Sequence, residues 1–284
     1  MKIYSMDGKL LPAERAGLPV NDLAFTRGYA AFDAMRTYQR VPFLVKEHIR
    51  RLLRTARIMR IPHTFSAKKI LENLKKTLAA NPAGEKLIRI YITAGDGHGL
   101  GIHGQARLLI LVDDFTPPPA NQITRGVSLM TYKYLRPTPL AKSTNYTEAV
   151  LATIMAKKKK FDEAVFVNNK SELTEGTTYN IIAQTSAGWI IPSEGLLPGI
   201  TLQTITRLLK KSKQQITFRN IKLSELTTLK GLFITSSNRE ILPVRRIDKI
   251  PIKISNTSQN TSLIFQHFRS YVDRYTAANQ KFWK

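Results

Sequence analysis

Lys142 lies in the stretch AKSTNYTEA, residues 141–149, among small and polar residues and after the proline-broken segment YLRPTPL. A lysine amine in a desolvated, cationic site has a lowered pKa and can form a Schiff base with a carbonyl. The chain contains 44 Lys and Arg residues, so one lysine alone is weak support for catalysis. The other polar positions must distinguish a catalyst from a surface charge.

The carboxylate of Glu175 is a second candidate group. It stands in the sequence LTEG, at the end of a hydrophobic stretch and before a glycine turn. A carboxylate that is buried there needs a cationic partner. A protonated pyridine nitrogen is one such partner.

Two turns have the composition of an anion-binding site. In LPGIT, Gly199 allows a ligand to approach the backbone, and Ile200 and Thr201 offer amides and a hydroxyl at a helix N-terminus. In FITSSNRE, Ser236 and Ser237 follow an apolar strand and offer hydroxyls and amides. Each turn alone is equally compatible with a structural role, as a helix cap or a hairpin turn.

Arg51 supplies a counter-charge for such an anion. Its planar guanidinium suits bidentate binding of phosphate, and the pattern His-x-x-Arg-Leu distinguishes it from Arg50 and Arg54. A Schiff-base lysine, a carboxylate for a pyridinium nitrogen and groups that bind phosphate together predict a pyridoxal 5′-phosphate site.

Composition limits the class of protein. The length of 284 residues fits one large domain or two of ordinary size, and 43% apolar residues are enough for a core. The apolar runs are strand-length and the N-terminus has no apolar signal segment, so we expect no membrane association and no secretion. The absence of cysteine excludes disulfides and thiolate metal sites, predicts no metal and suits a cytoplasmic protein.

The net charge of +24 has two interpretations. Nucleic-acid binding requires the charge to gather on one face or in a known module. Lys and Arg are spread over the whole length, and no zinc-finger spacing or RNA-recognition motif is present. We therefore expect a generally basic surface that favours anionic substrates, and no nucleic-acid partner.

The first third of the chain predicts both strands and helices. The predicted elements are a strand at Lys2–Tyr4, a strand pair in AAFDAMRTYQRVPFLV that turns near Gln39–Val41, a helix in KEHIRRLLRTARIMRI, a helix from Ser66 to Ala80, and strands in KLIRIYITAG and ARLLILVDD. Three consecutive prolines in FTPPPANQ then interrupt regular structure. We expect an N-terminal domain over residues 1–115, a linker over 116–123 and a C-terminal domain over 124–284 that carries Lys142.

The C-terminal part predicts a mixed pattern as well. Its predicted elements are a strand in GVSLMTYKY, a helix from about Tyr146, three strands in EAVFVNNKSELTEGTTYNIIAQTSAGWIIP, a helix after LPGIT, two strands in GLFITSSNREILPV and a last helix from Thr261 to Ala277. The predicted fold class is therefore mixed α and β (α+β) in two domains.

Seven motifs in order resemble the class IV (fold type IV) pyridoxal-phosphate enzymes. This family includes branched-chain aminotransferases, D-amino acid aminotransferases and aminodeoxychorismate lyases. The motifs are RGYAAFDAMRTY, HIRRL, KSTNY, DEAVF, LTEGTTYNI, LPGIT and REILPVRRID, and the resemblance runs from about Asp22 to Asp248. Each motif alone is weak, but the ordered set is specific.

The resemblance implies a two-domain fold type IV architecture, similar to D-amino acid aminotransferase, and a homodimer. It implies that Lys142 forms the Schiff base with pyridoxal 5′-phosphate and shuttles a proton, and that Glu175 keeps the pyridine nitrogen protonated. Tyr146 is implied to bond the phenolate oxygen of the cofactor. The residues implied at the phosphate are Arg51, Ile200, Thr201 and Ser237, with Ser236 beside them.

The chain departs from the family in several places. Ser237 stands where many members have threonine, and Lys142 and Tyr146 are four residues apart where some branched-chain enzymes space them by five. The sequence FDA replaces the common Phe-Glu-Gly. Arg27 occupies a position where branched-chain enzymes often carry tyrosine.

Two arginines are candidates for the substrate carboxylate. Arg89, in LIRIY, resembles the Tyr-Ile-Arg stretch of branched-chain enzymes, and the following GDGHGLGIHG resembles their glycine-rich loop. Arg27 precedes a glycine and could reach a carboxylate directly. A structural ion pair explains either arginine equally well.

The resemblance predicts transamination between an amino acid, in first place a branched-chain L-amino acid, and a 2-oxo acid such as 2-oxoglutarate. A D-amino acid aminotransferase is the alternative, although the Arg-x-His pair that such enzymes often carry is not found. An aminodeoxychorismate lyase and a non-catalytic basic binding protein on the same scaffold are further alternatives.

Overall fold

The computed structural model describes residues 1–253 and 259–283, which form two compact units. The first unit comprises Met1–Thr116, Leu140–Tyr146 and the chain from Val272 onward, and the second comprises Pro117–Pro139 and Thr147–Tyr271. The sequence-based division assigned Leu140–Tyr146 and the C-terminal residues to the second domain. The grouping differs because backbone hydrogen bonds tie the segment around Lys142 to the first strand pair.

The first unit is built on a sheet with the strand order β2-β1-β8-β5-β3-β4. Its strands are β1 (Ile3–Met6), β2 (Lys9–Pro12), β3 (Ala30–Tyr38), β4 (Val41–Pro42), β5 (Lys86–Thr93) and β8 (Arg107–Asp114), with β6 (Gly97–His98) and β7 (Gly101–Ile102) pairing separately. The expected strand pair is confirmed, because β3 and β4 pair across a turn in which Gln39 and Arg40 both have positive φ.

Helices cover one face of this sheet. They are α1 (Leu23–Arg27), α2 (Val45–Ile58) and α3 (Ala67–Ala79), with a 3₁₀ helix at Ala13–Arg15. Ser66 caps α3 as predicted, since its hydroxyl accepts from the Lys69 amide. The inner face of α2 buries Leu52 against β3 and β5 residues such as Met35 and Ile90.

The second unit is built on a sheet with the order β14-β13-β12-β16-β17-β9-β10-β11-β15, with β18 paired to β17. Its strands are β9 (Val127–Lys133), β10 (Glu163–Val167), β11 (Glu172–Gly176), β12 (Asn180–Thr185), β13 (Gly188–Ile191), β14 (Ile216–Phe218), β15 (Ile221–Lys222), β16 (Gly231–Ser236), β17 (Glu240–Ile247) and β18 (Ile250–Pro251). Its helical elements are α4 (Ala120–Arg125), α5 (Thr147–Lys158), α6 (Ile200–Lys211) and a 3₁₀ helix at Leu223–Thr228; α7 (Gln259–Trp283) is the last described helix.

Three elements differ from the sequence-based prediction. The stretch from Glu163 to Ile191 forms β10 to β13, one strand more than expected, and Thr177–Tyr179 turn the chain between β11 and β12. The predicted linker contains α4, which starts directly after Pro119; proline is tolerated there because the first amides of a helix need no intrahelical acceptor. The last helix extends past Ala277 to Trp283.

None of the helices within the described residues has both the length and the apolar character needed to cross a membrane.

Truncation of Leu52 tests whether packing of α2 on the sheet sets the stability of the first unit. We expect Leu52→Ala to lower the free energy of unfolding by about 2–5 kcal/mol, because the side chain is fully buried and leaves a cavity. Lys46→Ala on the exposed side of the same helix should change it by less than about 0.5 kcal/mol. Denaturant unfolding of both variants measures the difference; equal values would contradict this packing role.

Candidate active site

The backbone around Lys142 is fixed by β3 and α2. The amide of Phe32 donates to the Lys142 carbonyl at 2.9 Å, and the Thr144 amide donates to the Ala30 carbonyl at 3.0 Å. From the other side, the Lys142 amide donates to Thr55 Oγ1 at 3.2 Å. The segment is therefore held like an added piece of strand, and the backbone of Lys142 has little freedom.

The side chain of Lys142 is half-buried beside aromatic rings. Its Nζ lies 4.7 Å from the centroid of the Phe32 ring and 3.5 Å from the hydroxyl of Tyr146. Tyr146 packs edge-on against Phe32 with 5.6 Å between the ring centroids, and Phe32 stacks on Tyr91 at 5.5 Å. The structure thus brings the predicted Lys142 and Tyr146 together on an aromatic surface.

Arg51 is buried in an ion pair with Asp33. Its Nε and Nη2 donate to the two carboxylate oxygens of Asp33, each at 2.8 Å. His48 Nδ1 lies 2.7 Å from Asp33 Oδ1. Asp33, His48 and Arg51 are exposed by 0%, 1% and 6%, so this cluster is almost completely removed from solvent.

Burial and charge act in opposite directions on this cluster. Burial raises the pKa of the Asp33 carboxyl, but Arg51 and His48 outweigh it and hold that pKa well below its usual range. Burial lowers the pKa of the His48 imidazole below 6.5, and the attraction of Asp33 does not compensate. The cluster is therefore an anionic Asp33 that is paired with a cationic Arg51 and a neutral His48 at pH 7.

Glu175 is a buried carboxylate that accepts hydrogen bonds from side-chain and backbone donors. Arg136 Nη1 donates to its Oε1 at 3.0 Å, the Leu197 amide donates to its Oε2 at 3.0 Å, and Asn180 Nδ2 is 3.5 Å from Oε2. The sequence indicated that a carboxylate buried here needs a cation, and within the second unit Arg136 is that cation. Arg136 was missed because it stands in the proline-broken segment YLRPTPL, far from Glu175 in sequence.

The N-terminus of α6 has no side-chain cap. Its N-cap residue is Gly199, and Ile200 and Thr201, both buried, start the helix. A side chain at Gly199 would collide with Asn180 Oδ1, which explains the glycine at this position. The free amides of the first turn and the helix dipole together favour a bound anion.

Ser236 and Ser237 lie at the hairpin between β16 and β17. The Ser236 hydroxyl accepts from the Arg239 amide at 3.2 Å, and Ser237 lies in the turn. β12 connects this hairpin to the other polar groups of the second unit, since Asn180 pairs with Glu175 on one side and with Thr235 on the other. Glu175, the start of α6 and the Ser236–Ser237 turn therefore meet around Asn180.

Buried polar atoms without partners accompany this hairpin. Among the described residues, Thr235 Oγ1, Asn238 Oδ1 and Arg239 Nη1 have no hydrogen-bond partner although they are buried. Such atoms are costly unless a ligand or water satisfies them. Thr235 Oγ1 and Arg239 Nη1 can donate to a phosphate group, as can the amides of the uncapped α6 N-terminus, whereas Asn238 Oδ1 can only accept. The residues present are therefore compatible with the predicted cofactor.

The two candidate substrate arginines have different surroundings. Arg89 Nη2 donates to Asp113 Oδ2 at 2.6 Å, and Asp113 also accepts from the Tyr4 hydroxyl at 2.7 Å. Burial and Asp113 together raise the pKa of Tyr4 to about 12. Arg27 is exposed, and its guanidinium donates to the Thr26 carbonyl. The sequence had left a structural ion pair open as an alternative role for Arg89, and the structure contains such a pair with Asp113. A substrate-binding role for either arginine stays a prediction.

A family model described as amino-transferase class IV matches residues 30–247. The chain belongs to the class IV aminotransferase family. The matched region covers more than half of the sequence and includes Arg51, Lys142, Glu175 and both turns that are predicted to bind an anion. The family resemblance inferred from seven motifs is thereby confirmed.

This class IV aminotransferase has curated relatives over nearly its whole length. It is 30% identical over 278 residues to a putative branched-chain-amino-acid aminotransferase of Methanocaldococcus jannaschii, covering 95% of this chain and 96% of that protein. It is 26% identical to a D-alanine aminotransferase of Bacillus licheniformis, covering 87% and 89%.

Solved structures share the fold of the class IV aminotransferase. A branched-chain aminotransferase of Thermoproteus uzoniensis, crystallised with norvaline, has a TM-score of 0.88 at 23% identity, covering 97% of each chain. At this identity the likeness shows the fold, and it confirms the expected mixed, fold type IV architecture.

Sequence inspection missed the partners of the predicted residues in this class IV aminotransferase. Asp33 was noted only as a departure in FDA, and His48 only as part of the motif around Arg51. The spacing of His48 and Arg51 on one helix face was the available signal. Asp113 gave no signal of its own, because its contact with Arg89 depends on the pairing of β5 with β8.

The buried His48 predicts acid sensitivity of the fold. Because its pKa is lower in the folded than in the unfolded chain, its contribution is present above pH 6.5 and is lost as the pH falls through 6.5 toward the folded value. The groups that act on it are Asp33, Arg51 and Lys142. We expect the free energy of unfolding to fall below pH 6.5 by up to about 1.4 kcal/mol per pH unit from this residue.

Denaturant unfolding between pH 7.5 and 5 measures this loss. His48→Gln removes the titrating group, so its unfolding curve should depend less steeply on pH over this interval. Parallel curves for parent and variant would show that His48 does not titrate as expected.

Proposed function

We propose that this class IV aminotransferase uses pyridoxal 5′-phosphate to transfer an amino group from an amino acid to a 2-oxo acid such as 2-oxoglutarate. The proposed donor is in first place a branched-chain L-amino acid. The observation that carries the proposal is Lys142: its backbone is fixed on both sides, and its amine lies 3.5 Å from the Tyr146 hydroxyl beside aromatic rings. Membership of the class IV aminotransferase family supports a catalytic role for this amine.

When bound, the cofactor supplies an aldehyde for the attachment of amines and a protonated ring that withdraws electrons from the α-carbon of the substrate. Lys142 Nζ would hold the aldehyde carbon of the cofactor, and its amine would take a proton from the α-carbon of the substrate and return it. Phe32 shields one side of this amine from water, and Phe32 with the stacked Tyr91 offers an apolar surface to a branched side chain.

The other residues orient the cofactor and keep its charge. Glu175, held by Arg136 and the Leu197 amide, accepts from the pyridine nitrogen and keeps it protonated. Tyr146 donates to the phenolate oxygen. The residues that bind the phosphate are Arg51, Ile200, Thr201, Ser236 and Ser237. Arg27 and Arg89 are the proposed groups for the substrate carboxylate.

A homodimer and a cytoplasmic location belong to the same proposal. The absence of cysteine suits the reducing cytoplasm. Exposed apolar side chains on α5, such as Val150 and Ile154, support association of two chains. Sedimentation equilibrium of the purified protein measures the association directly.

Removal of the Lys142 amine tests the central assignment. We expect Lys142→Ala to lose turnover by at least about a hundredfold, the low end of what a general acid–base group contributes, because no other amine replaces it. The visible absorbance of the attached cofactor should also disappear. Lys170→Ala, an exposed lysine of the second unit, should behave like the parent. Turnover of Lys142→Ala at the parent rate would refute the assignment.

Half-reactions without an oxo-acid acceptor test the substrate class. We expect L-leucine to bleach the visible band of the bound cofactor, because Phe32 and Tyr91 provide an apolar surface beside Lys142. D-alanine and D-glutamate, added separately, should leave the band unchanged. Bleaching by a D-amino acid alone would instead identify a D-amino acid aminotransferase, and a stable band with all three would favour the lyase. Failure of the reconstituted protein to develop any band would favour the non-catalytic binding protein.

A further inference from the structure

Asp33 accepts four hydrogen bonds within the first unit. Its Oδ1 accepts from the Ala34 amide at 2.8 Å, from Arg51 Nη2 at 2.8 Å and from His48 Nδ1 at 2.7 Å, and its Oδ2 accepts from Arg51 Nε at 2.8 Å. An ionised carboxylate has about four lone-pair positions. Two of the four bonds come from Arg51, so the main contact of Asp33 is its ion pair with that arginine.

Arg51 keeps donors that Asp33 does not use. A guanidinium carries five N–H donors in a rigid plane. Asp33 takes Nε and one hydrogen of Nη2, whereas Nη1 forms no hydrogen bond to any residue in the described part of the chain. Two parallel bonds along one edge fix the orientation of the whole plane, so the direction of the remaining donors is fixed as well.

His48 holds the carboxylate from a second direction. The ionised Asp33 can only accept, so the proton of the neutral imidazole must be on Nδ1, where it is donated to Oδ1. His48, Arg51 and Thr55 recur at helical spacing on the buried face of α2. Thr55 Oγ1 accepts from the Lys142 amide, so one helix face holds both the arginine and the backbone of the lysine.

We propose that Asp33 and His48 are positioning residues for Arg51, and that they fix its guanidinium so that Nη1 stays available to the phosphate of the cofactor. This inference rests on the proposed function. Asp33 and His48 make no contact with the cofactor in this proposal and act only through Arg51. Without Asp33, the buried arginine loses its fixed orientation and the phosphate loses a preorganised donor.

The positioning role of Asp33 and His48 can be tested by ligand binding alone, without an activity assay. The apoprotein is titrated with pyridoxal 5′-phosphate and, separately, with pyridoxal, and the change in visible absorbance gives both dissociation constants. The dissociation constant of pyridoxal divided by that of pyridoxal 5′-phosphate isolates the contribution of the phosphate, because both ligands can attach to Lys142. A high ratio means a strong preference for the phosphorylated cofactor. Arg51→Lys gives the reference value for loss of the planar donor.

We expect Asp33→Asn to lower this ratio by about tenfold, close to the effect of Arg51→Lys, while the affinity for pyridoxal changes little. His48→Leu should lower it by about threefold, because Asp33 then keeps its bonds to Arg51 but loses one support. Asp114→Asn is the matched control: it removes a carboxylate of the first unit that pairs with Lys86 and is exposed. Its ratio should equal that of the parent.

Three results would overturn the inference. An unchanged ratio in both Asp33→Asn and His48→Leu would show that Arg51 needs no positioning. A raised ratio would show that Asp33 opposes the phosphate by its charge. Equal loss of both ligands would show a structural role only; should Asp33→Asn not fold, His48→Leu alone decides between these results. A parent protein that attaches pyridoxal and pyridoxal 5′-phosphate equally would refute phosphate binding by Arg51 itself, and one that attaches neither would refute the proposed function.

Discussion

The charge on Asp33 is the constraint on which the part of the first unit around Arg51 and Lys142 depends. A carboxylate with no exposure to water is costly unless it is paired and hydrogen-bonded, and four donors surround this one. Loss of any one donor would leave a buried charge partly unsatisfied. β3 and α2 are therefore joined by a specific polar contact as well as by apolar packing, and their relative position is fixed.

The buried ion pair is not a source of net stability by itself. The desolvation of two charges offsets much of their attraction, and apolar packing on the same helix face, by residues such as Ile49 and Leu52, supplies the favourable term. The polar cluster instead selects one register of α2 against β3. Thr55 lies one turn beyond Arg51, so the same register also determines where the Lys142 backbone can be held.

Local sequence patterns predicted most single helices and strands. They did not predict which distant elements pair with one another. The helical spacing of Ile49, Leu52 and Leu53 and the capping Ser66 were sufficient to predict α2 and α3. The stretch from β10 to β13 was undercounted because its four strands are short and only short turns separate them. The grouping of the Lys142 segment with the first unit was not visible in sequence, since it depends on hydrogen bonds to Phe32 and Ala30, more than a hundred residues away.

In the candidate site, too, the sequence indicated the candidate functional residues but not the residues that contact them. Lys142, Arg51 and Glu175 were recognisable by type and motif, whereas the groups that hold them come from other elements. Arg136 illustrates the consequence for Glu175: an adjacent opposite charge favours the ionised form of a carboxylate. An ionised Glu175 can only accept a hydrogen bond, so the nitrogen that it binds in the proposed function must carry the proton. In each unit, then, a permanently charged arginine favours the ionised form of a carboxylate. The arginine is the proposed ligand-binding member in the first unit and the carboxylate in the second.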